Sequence, residues 1–501
     1  MKMSSYFSEQ NCSHLSSVQA GGRVHFIGVC GVAMGQLALA LSRKGFAVSG
    51  SDKEFYPPMS TLLRQSSIKL FEQYSEENLT SEIDLAVVGN SVPASNPEVC
   101  AIEQLKLRYT CLPLLLSELV IGKRRSIVVT GTHGKTTTSA LLAYLLEKLE
   151  LNPSYFVGGA CSQIESGLKI SKGVMSVVEG DEYDSAFFAK IPKFRFYRPD
   201  ILVINAIELD HVDIYQNVQE ISRQFRWLVQ QVPPGGSIFA CADYPEVVSV
   251  AKSVQSGSHV HLTFFGEHGP VDSCIRERKT IGQTQFVTVD CGDGEMLQFE
   301  TKLLGVHGAR NAVAALLVVK TLVPQLIPDA ILHLREFEGV KRRLQVLYEG
   351  ARGVLFEDFA HHPTAVQLTL QGLRERYPSS RLIAAFEPRS NSSRQEVFRT
   401  LYEKAFCMAD IVLLCDVKAR PGDEQRKLIQ VRELGRAISG HGTPCHVFDD
   451  GLSLGGFLLN EWKDGDVVVL MSNGSFDGLP GWLESELESN SKAYLGDRDR
   501  K

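Results

Sequence analysis

The seven residues Gly131-Thr132-His133-Gly134-Lys135-Thr136-Thr137 stand between an apolar β-rich run, Ser126-Ile127-Val128-Val129, and a helical pattern carrying Leu141, Leu142, Leu145 and Leu146. A strand that turns through glycines into a helix opening on Lys and Thr is a phosphate-binding loop, here one residue shorter than G-x-x-x-x-G-K-[ST]. Backbone N–H groups at such a helix start cradle phosphates. The Lys135 ammonium reaches the terminal phosphates, and the Thr136 hydroxyl suits Mg²⁺. The motif therefore predicts ATP binding. It also demands a parallel sheet with crossover helices, and short β-rich runs alternate with helical patterns through most of the chain.

The 501 residues leave room for about three domains. Three βα blocks can be separated, and they set the expected boundaries at 21–122, 123–345 and 346–501. The first opens at Val24-His25-Phe26-Ile27 and the second at the strand before the phosphate loop. The third carries Val354-Leu355-Phe356, Leu382–Phe386, Ile411–Leu414 and Val467–Met471 as strands. Residues 1–20 are polar, lack the apolar core of a signal peptide and read as a frayed, disordered tail. The stretch from about Gly266 to Glu300, rich in Gly, Thr and charge, reads as an antiparallel insertion.

Composition excludes several classes. With 44% hydrophobic and 22% charged residues, a largely disordered chain is ruled out. Lys and Arg number 52 against 58 Asp and Glu, a net charge of −6, so no global field draws in nucleic acid or an anionic membrane. No apolar run approaches the ~18 residues of a membrane span; Ala312–Val319 stops at Lys320. The eleven cysteines are scattered, odd in number and without a C-x-x-C pair, which fits reduced thiols in a cytoplasm. The expectation is a cytoplasmic enzyme, a monomer or weak homodimer.

Two acidic segments can complete a metal site. Val174–Val178 reads as a buried strand that delivers Glu179-Gly180-Asp181-Glu182-Tyr183-Asp184 at its carboxyl end. Ile201–Ile204 is followed by Asn205-Ala206-Ile207-Glu208-Leu209-Asp210-His211-Val212-Asp213. Ligands of parallel sheets collect at the carboxyl ends of strands. Mg²⁺ takes hard oxygens, and Glu179 sits directly at the strand end. Taken alone, His211 reads as a capping or core histidine before it reads as a metal ligand.

In the first block, Gly28, Gly31 and Gly35 follow a strand and open a helix, and a second strand ends at Asp52, 24 residues after Gly28. Alone, this loop fits a plain strand–helix turn as well as a site for a pyrophosphate-containing ligand. It departs from G-x-G-x-x-G because Cys30 holds the second glycine position, and nothing else in the chain supports an NAD-dependent oxidoreductase.

Six motifs occur in one order: G-T-H-G-K-T-T-T, the E-x-D-E-x-D cluster, N-x-x-E-x-D-H-x-D, G-x-H-x-x-x-N (Gly305, His307, Asn311), Arg342-Arg343, and D-F-A-H-H-P (Asp358–Pro363). In these the chain resembles the Mur ligases, ATP-dependent amide-forming enzymes of peptidoglycan metabolism, over roughly residues 23–485. The resemblance implies an α/β architecture of three domains: a Rossmann-like N-terminal domain for a UDP-sugar, a central P-loop ATPase domain and a Rossmann-like C-terminal domain that brings the amine.

Four features resemble the branch that attaches a preformed murein tripeptide, L-alanyl-γ-D-glutamyl-meso-diaminopimelate, to UDP-N-acetylmuramate. Cys30 stands where alanine-adding members usually carry glycine, and Tyr56–Leu63 follows the second strand. Asp181–Phe188 replaces a Ser-rich segment, and Glu387-Pro388-Arg389-Ser390-Asn391 replaces Gln-Pro-His-Arg. Gln224-Phe225-Arg226 lacks the carbamylated Lys of later members, which favours the branch acting on UDP-N-acetylmuramate itself.

Carried over by position, the resemblance implies that Lys135 holds the β/γ-phosphates within an ATP loop of Gly131, Thr132, His133, Gly134, Thr136 and Thr137. Thr136, Glu179 and His211 are implied as Mg²⁺ ligands. His307 and Asn311 lie near the adenine, Arg343 reaches the γ-phosphate, and Asp358 and His361 clamp ATP. Lys135, His211 and Arg343 form the catalytic set. Gly28, Gly31, Gly35 and Asp52 are implied for the UDP-sugar, and Arg389, Ser390 and Asn391 for the peptide. Two positions depart from the family. Gly308 replaces an Asn expected at the adenine, and Phe359 replaces a Tyr. The rival readings are the alanine-adding ligase, a P-loop ATPase or kinase without ligase activity, and a non-catalytic UDP-sugar or dinucleotide-binding protein.

Overall fold

The computed structural model describes residues 6–498 except 255, 256, 293, 419, 421, 422, 424 and 425, and of 490–498 only the backbone. The chain forms two compact units. One comprises Met1–Glu208, Val218–Cys274 and Val313–His333; the other comprises Leu209–Asn217, Ile275–Ala312 and Leu334–Lys501.

Among the described residues the first unit holds two large sheets and a two-stranded antiparallel pair, Asp184–Ala186 with Ala189–Pro192. The N-terminal sheet is parallel throughout, in the order Lys69–Phe71, Ala47–Ser51, Arg23–Ile27, Leu85–Val88, Tyr109–Cys111. Strand order therefore reverses at Arg23–Ile27, the place where doubly wound sheets open a crevice for ligands. Leu85–Val88 is buried at every position, as expected of a strand covered on both faces.

The second sheet is built around Arg125–Thr130, flanked by Ile201–Ile204 on one side and Met175–Gly180 on the other, all parallel. Ser237–Cys241 and His261–Gly266 extend it in parallel on one side, and Ser154–Phe156 on the other. The helix Lys135–Lys148 buries Leu141, Leu142, Leu145 and Leu146, as the sequence pattern requires.

The expectation of a frayed segment at 1–20 is corrected for the residues described. Phe7, Leu15 and Val18 are buried. The Tyr6 hydroxyl donates to the Leu107 carbonyl at 2.5 Å, and Ser13 N–H donates to the Tyr109 carbonyl at 2.8 Å. Leu15 N–H donates to Glu118 at 2.8 Å. The cause is the spacing of aromatic and aliphatic residues within a polar stretch, which lets Phe7 join a cluster with Tyr109 and Phe188. Residues 1–5 lie outside the described residues.

In the second unit a sheet runs Gln345–Gly350, Gly353–Asp358, Asp466–Met471, Leu382–Phe386, Ile411–Cys415, Cys445–Phe448. Its first pair is antiparallel and the rest parallel. The expected antiparallel insertion is present in part. Thr284–Asp290 pairs antiparallel with Met296–Thr301, whereas Ser273 and Cys274 pair parallel with Phe265 and Gly266. No helix among the described residues is long and apolar enough to cross a membrane.

Candidate active site

Gly131 adopts φ +126, and a Cβ there would come within 2.7 Å of the Ala206 nitrogen, so only glycine lets the loop pass this close to its neighbour. Gly134, at φ +82, caps the helix Lys135–Lys148 without a side chain in the way. Thr132 N–H donates to the Ala206 carbonyl at 2.8 Å. The helix start thus opens at the carboxyl ends of Arg125–Thr130 and Ile201–Ile204.

Lys135 is turned into this loop. Its ammonium donates to the Gly131 carbonyl at 2.7 Å and to Glu182 at 2.8 Å. Burial opposes its charge, but Glu182 and Asp181 outweigh that and raise its proton affinity. Thr136 Oγ1 donates to Glu179 Oε2 at 3.0 Å, and Gly158 N–H donates to the other oxygen at 2.6 Å. Glu179 is pushed up to about 7, first by burial and then by the neighbouring Asp181 charge.

Lys193 was not singled out by the sequence. Its ammonium is buried, 2.9 Å from Asp181 and 2.7 Å from the Tyr183 hydroxyl. Burial favours a neutral Asp181, yet Lys193 and Lys135 together hold it below the usual carboxylate range. His133 pairs with Glu208 at 2.9 Å. A lysine that opens a single 3-10 turn, Lys193–Phe196, after a hairpin carries no periodic signal of burial, so only the fold reveals this second cation beside the phosphate loop.

At the N-terminal sheet, Gly28 adopts φ +84, and Gly28 and Val29 N–H donate to the Ser51 carbonyl at 2.9 and 3.0 Å. Gly31 caps the helix Val32–Arg43. Asp52 accepts from Cys30 N–H and Lys53 N–H, both at 2.8 Å, and from the Tyr74 hydroxyl at 3.3 Å. Gly35 is different. A Cβ there would sit 2.3 Å from the Met59 sulfur, so this glycine serves the packing of the helix Met59–Arg64.

The remaining candidates belong to the second unit. His211 adopts φ +50, and its N–H donates to Asp210 at 2.7 Å. Burial opposes ionisation of Asp210, but His211, His361 and His362 outweigh it and keep its carboxyl well below the usual range. His361 Nε2 lies 3.9 Å from Asp210. Asp358 accepts from Leu344 N–H at 2.6 Å and Ala360 N–H at 2.7 Å, so its carboxylate holds two backbone turns. The Arg343 guanidinium stacks 4.6 Å from the Phe359 ring, a contact that does not need the missing hydroxyl.

His307 and Asn311 lie on the helix Gly305–Leu322, and Asn311 is buried. A Cβ on Gly308 would come 2.7 Å from the Leu303 carbonyl carbon, so packing accounts for the glycine there. Arg389 crosses Gly474, whose Cβ would collide with it, and donates to Ser475 at 3.4 Å. Asn391 donates to Asp213 at 2.9 Å. Ser390 Oγ accepts Ser393 N–H at 2.9 Å and so closes the turn. The first unit therefore gathers Gly131–Thr137 with Glu179. The second gathers Asp210, His211 and His361, with Arg343 beside Phe359.

The sequence matches three family descriptions in succession: the Mur ligase family catalytic domain over residues 23–124, the Mur ligase middle domain over 129–319, and the Mur ligase glutamate ligase domain over 342–474. A UDP-N-acetylmuramate–L-alanyl-γ-D-glutamyl-meso-2,6-diaminoheptandioate ligase from Escherichia coli K12 is 32% identical over 480 residues, spanning 94% of this chain and 99% of that protein. A UDP-N-acetylmuramate–L-alanine ligase from Symbiobacterium thermophilum is 31% identical over 478 residues, spanning 94% and 95%. The crystal structure of a murein peptide ligase from Psychrobacter arcticus 273-4 superposes with a TM-score of 0.68 at 28% identity, covering 93% of this chain and 98% of that one.

Proposed function

This chain belongs to the Mur ligase family, and we propose that it joins the lactyl carboxylate of UDP-N-acetylmuramate to the alanyl amine of L-alanyl-γ-D-glutamyl-meso-diaminopimelate with ATP as co-substrate. The observation that carries the reading is the partly buried Lys135 beside the Thr136–Glu179 pair, in a chain alike over 94% of its length to the tripeptide-adding relative of Escherichia coli.

A carboxylate resists attack by an amine because oxide cannot leave. Transfer of the γ-phosphoryl group to the lactyl carboxylate gives an acyl phosphate. The amine adds to its carbonyl carbon and loses a proton, and phosphate departs with the C–O bonding pair, leaving the amide, ADP and phosphate. The groups that react before the amine arrives are anionic. Lys135 neutralises the charge that builds on the transferring phosphoryl group, and Arg343 takes the same role by its position in the family motif.

Thr136 and Glu179 suit Mg²⁺. They offer hard oxygens 3.0 Å apart, and burial gives Glu179 a raised proton affinity that a divalent cation can satisfy instead. By its position in the family motif, His211 would be a further ligand. The ion supplies neutralisation of phosphate charge when bound.

The glycine loop of the N-terminal sheet, with Asp52, takes the UDP-sugar, and Arg389 takes a carboxylate of the peptide, whose geometry a guanidinium fork matches. The reaction is placed in the cytoplasm, in reuse of cell-wall peptides. A second reading, addition of free L-alanine, is favoured by the likeness to the Symbiobacterium protein. The mass of the product formed from UDP-N-acetylmuramate, ATP and an equimolar mixture of tripeptide and L-alanine tests both. The sugar nucleotide extended by the tripeptide supports the proposal; extension by a single alanine refutes it.

A further inference from the structure

Glu98 has no exposed surface, and no step above uses it. It opens the helix Pro97–Leu105, which covers the N-terminal sheet. Its carboxylate accepts the Ser51 hydroxyl, the Asn78 amide at 2.6 Å and Ser75 N–H at 3.4 Å. His25 Nε2, equally buried, lies 3.6 Å away, and its Nδ1 is 2.8 Å from the Ser49 hydroxyl. Burying a carboxylate is costly even when it is fully hydrogen-bonded, and an apolar side chain of like size would fill the same space without that cost. Packing alone gives no reason for a polar group here.

The geometry of its partners gives one. Ser51 ends the strand beside the glycine loop, and its carbonyl takes Gly28 and Val29 N–H at 2.9 and 3.0 Å. The next residue, Asp52, takes Cys30 N–H at 2.8 Å. From the other side, Ser75 and Asn78 hold the loop that carries Tyr74, whose hydroxyl donates to the second Asp52 oxygen at 3.3 Å. Asp52 is thus fixed by two segments, and both are tied to Glu98.

We propose that Glu98 is a positioning residue for the sugar-nucleotide site: through Ser51 and the Tyr74 loop it sets the orientation of Asp52 against the Gly28–Gly31 turn. It touches no substrate and acts through Asp52. The inference rests on the proposed role of this loop in binding UDP-N-acetylmuramate.

Steady-state kinetics of the full-length enzyme, with the sugar nucleotide varied at saturating ATP and peptide, test it in Glu98→Gln, Tyr74→Phe, the double variant and Asp52→Asn. Glu98→Gln and Tyr74→Phe are each expected to raise KM for the sugar nucleotide roughly tenfold, with kcat and KM for ATP unchanged. The double variant is expected to be no worse than the weaker single, because both act on one relay. If Glu98→Gln does not fold, Tyr74→Phe carries the comparison, since it removes only a hydroxyl. A lowered Tm for Glu98→Gln with KM unchanged, or strictly additive effects, overturns the positioning role while an impaired Asp52→Asn leaves the site reading standing. An unimpaired Asp52→Asn overturns the site reading and the inference with it.

Discussion

The Lys135 ammonium lies 2.8 Å from Glu182, a carboxylate with 1% of its surface exposed, so the phosphate-loop lysine is already paired within its own chain. That pairing keeps a partly buried cation compensated until phosphate oxygens compete for it. It also places the lysine at the mouth of the loop, where it donates to the Gly131 carbonyl and lies 3.9 Å from Asp181.

Removing the cation should therefore strike turnover and spare the N-terminal site. Lys135→Ala is expected to lower kcat by roughly 10³-fold, the scale seen when a preorganised charge partner of a transition state is lost. Sugar-nucleotide affinity, measured by calorimetry, is expected to stay within error. Lost sugar binding would contradict the assignment of that ligand to the glycine loop around Gly28.

Metal affinity should follow the proton on Glu179. Its carboxyl is raised to about 7 by burial and then by Asp181, so the folded protein binds this proton more tightly than the unfolded chain. The stability contributed by that proton is complete at acid pH, below the ordinary carboxyl range, and is lost as pH rises through about 7. A cation at Glu179 must displace the proton. Mg²⁺-nucleotide binding is thus expected to strengthen with rising pH up to about 7 and to release close to one proton at about pH 6. Calorimetry in two buffers of different ionisation heat measures this, and Glu179→Gln should abolish the release.

The Lys193–Asp181 pair makes a stability prediction. Both are buried, at 2.9 Å. Lys193→Met leaves Asp181 short of a partner and is expected to cost about 3–5 kcal/mol in denaturant unfolding. Adding Asp181→Leu should recover part of that loss. A cost below about 1 kcal/mol for Lys193→Met would mean the pair is as weak as an exposed one.

Arg389 should discriminate among substrates. It keeps contact with Glu387 at 3.6 Å and Ser475 at 3.4 Å and is partly exposed. Arg389→Ala is expected to raise KM for the tripeptide roughly ten- to a hundredfold, the worth of hydrogen bonds to a charged group, without changing KM for ATP. Equal rises in both constants would remove Arg389 from the peptide site.

Local pattern makes the phosphate loop and its acidic neighbour legible in the sequence. A strand, two glycines and a helix force the loop at Gly131–Thr137, and a buried strand ending in Glu179 brings that carboxylate to Thr136. What stayed hidden depends on contacts distant in sequence. Lys193 looks like any surface lysine until the hairpin of Asp184–Ala186 and Ala189–Pro192 folds it back onto Asp181. Phe7 reads as part of a polar tail until Tyr109 and Phe188 are in place beside it. Gly35 and Ser390 sit in motifs that suggest ligand contact, and the fold adds a packing role against Met59 for the first and a turn with Ser393 for the second. Gly308 reads as a lost adenine contact, and only the nearness of Leu303 shows why a side chain has no room there.

Phosphate release from ATP in the presence of UDP-N-acetylmuramate, with either the tripeptide or L-alanine as sole amine, tests the central claim most directly. Release that depends on the tripeptide and is silent with L-alanine is the predicted result. Release driven by L-alanine and not by the tripeptide would contradict it and make this an alanine-adding ligase.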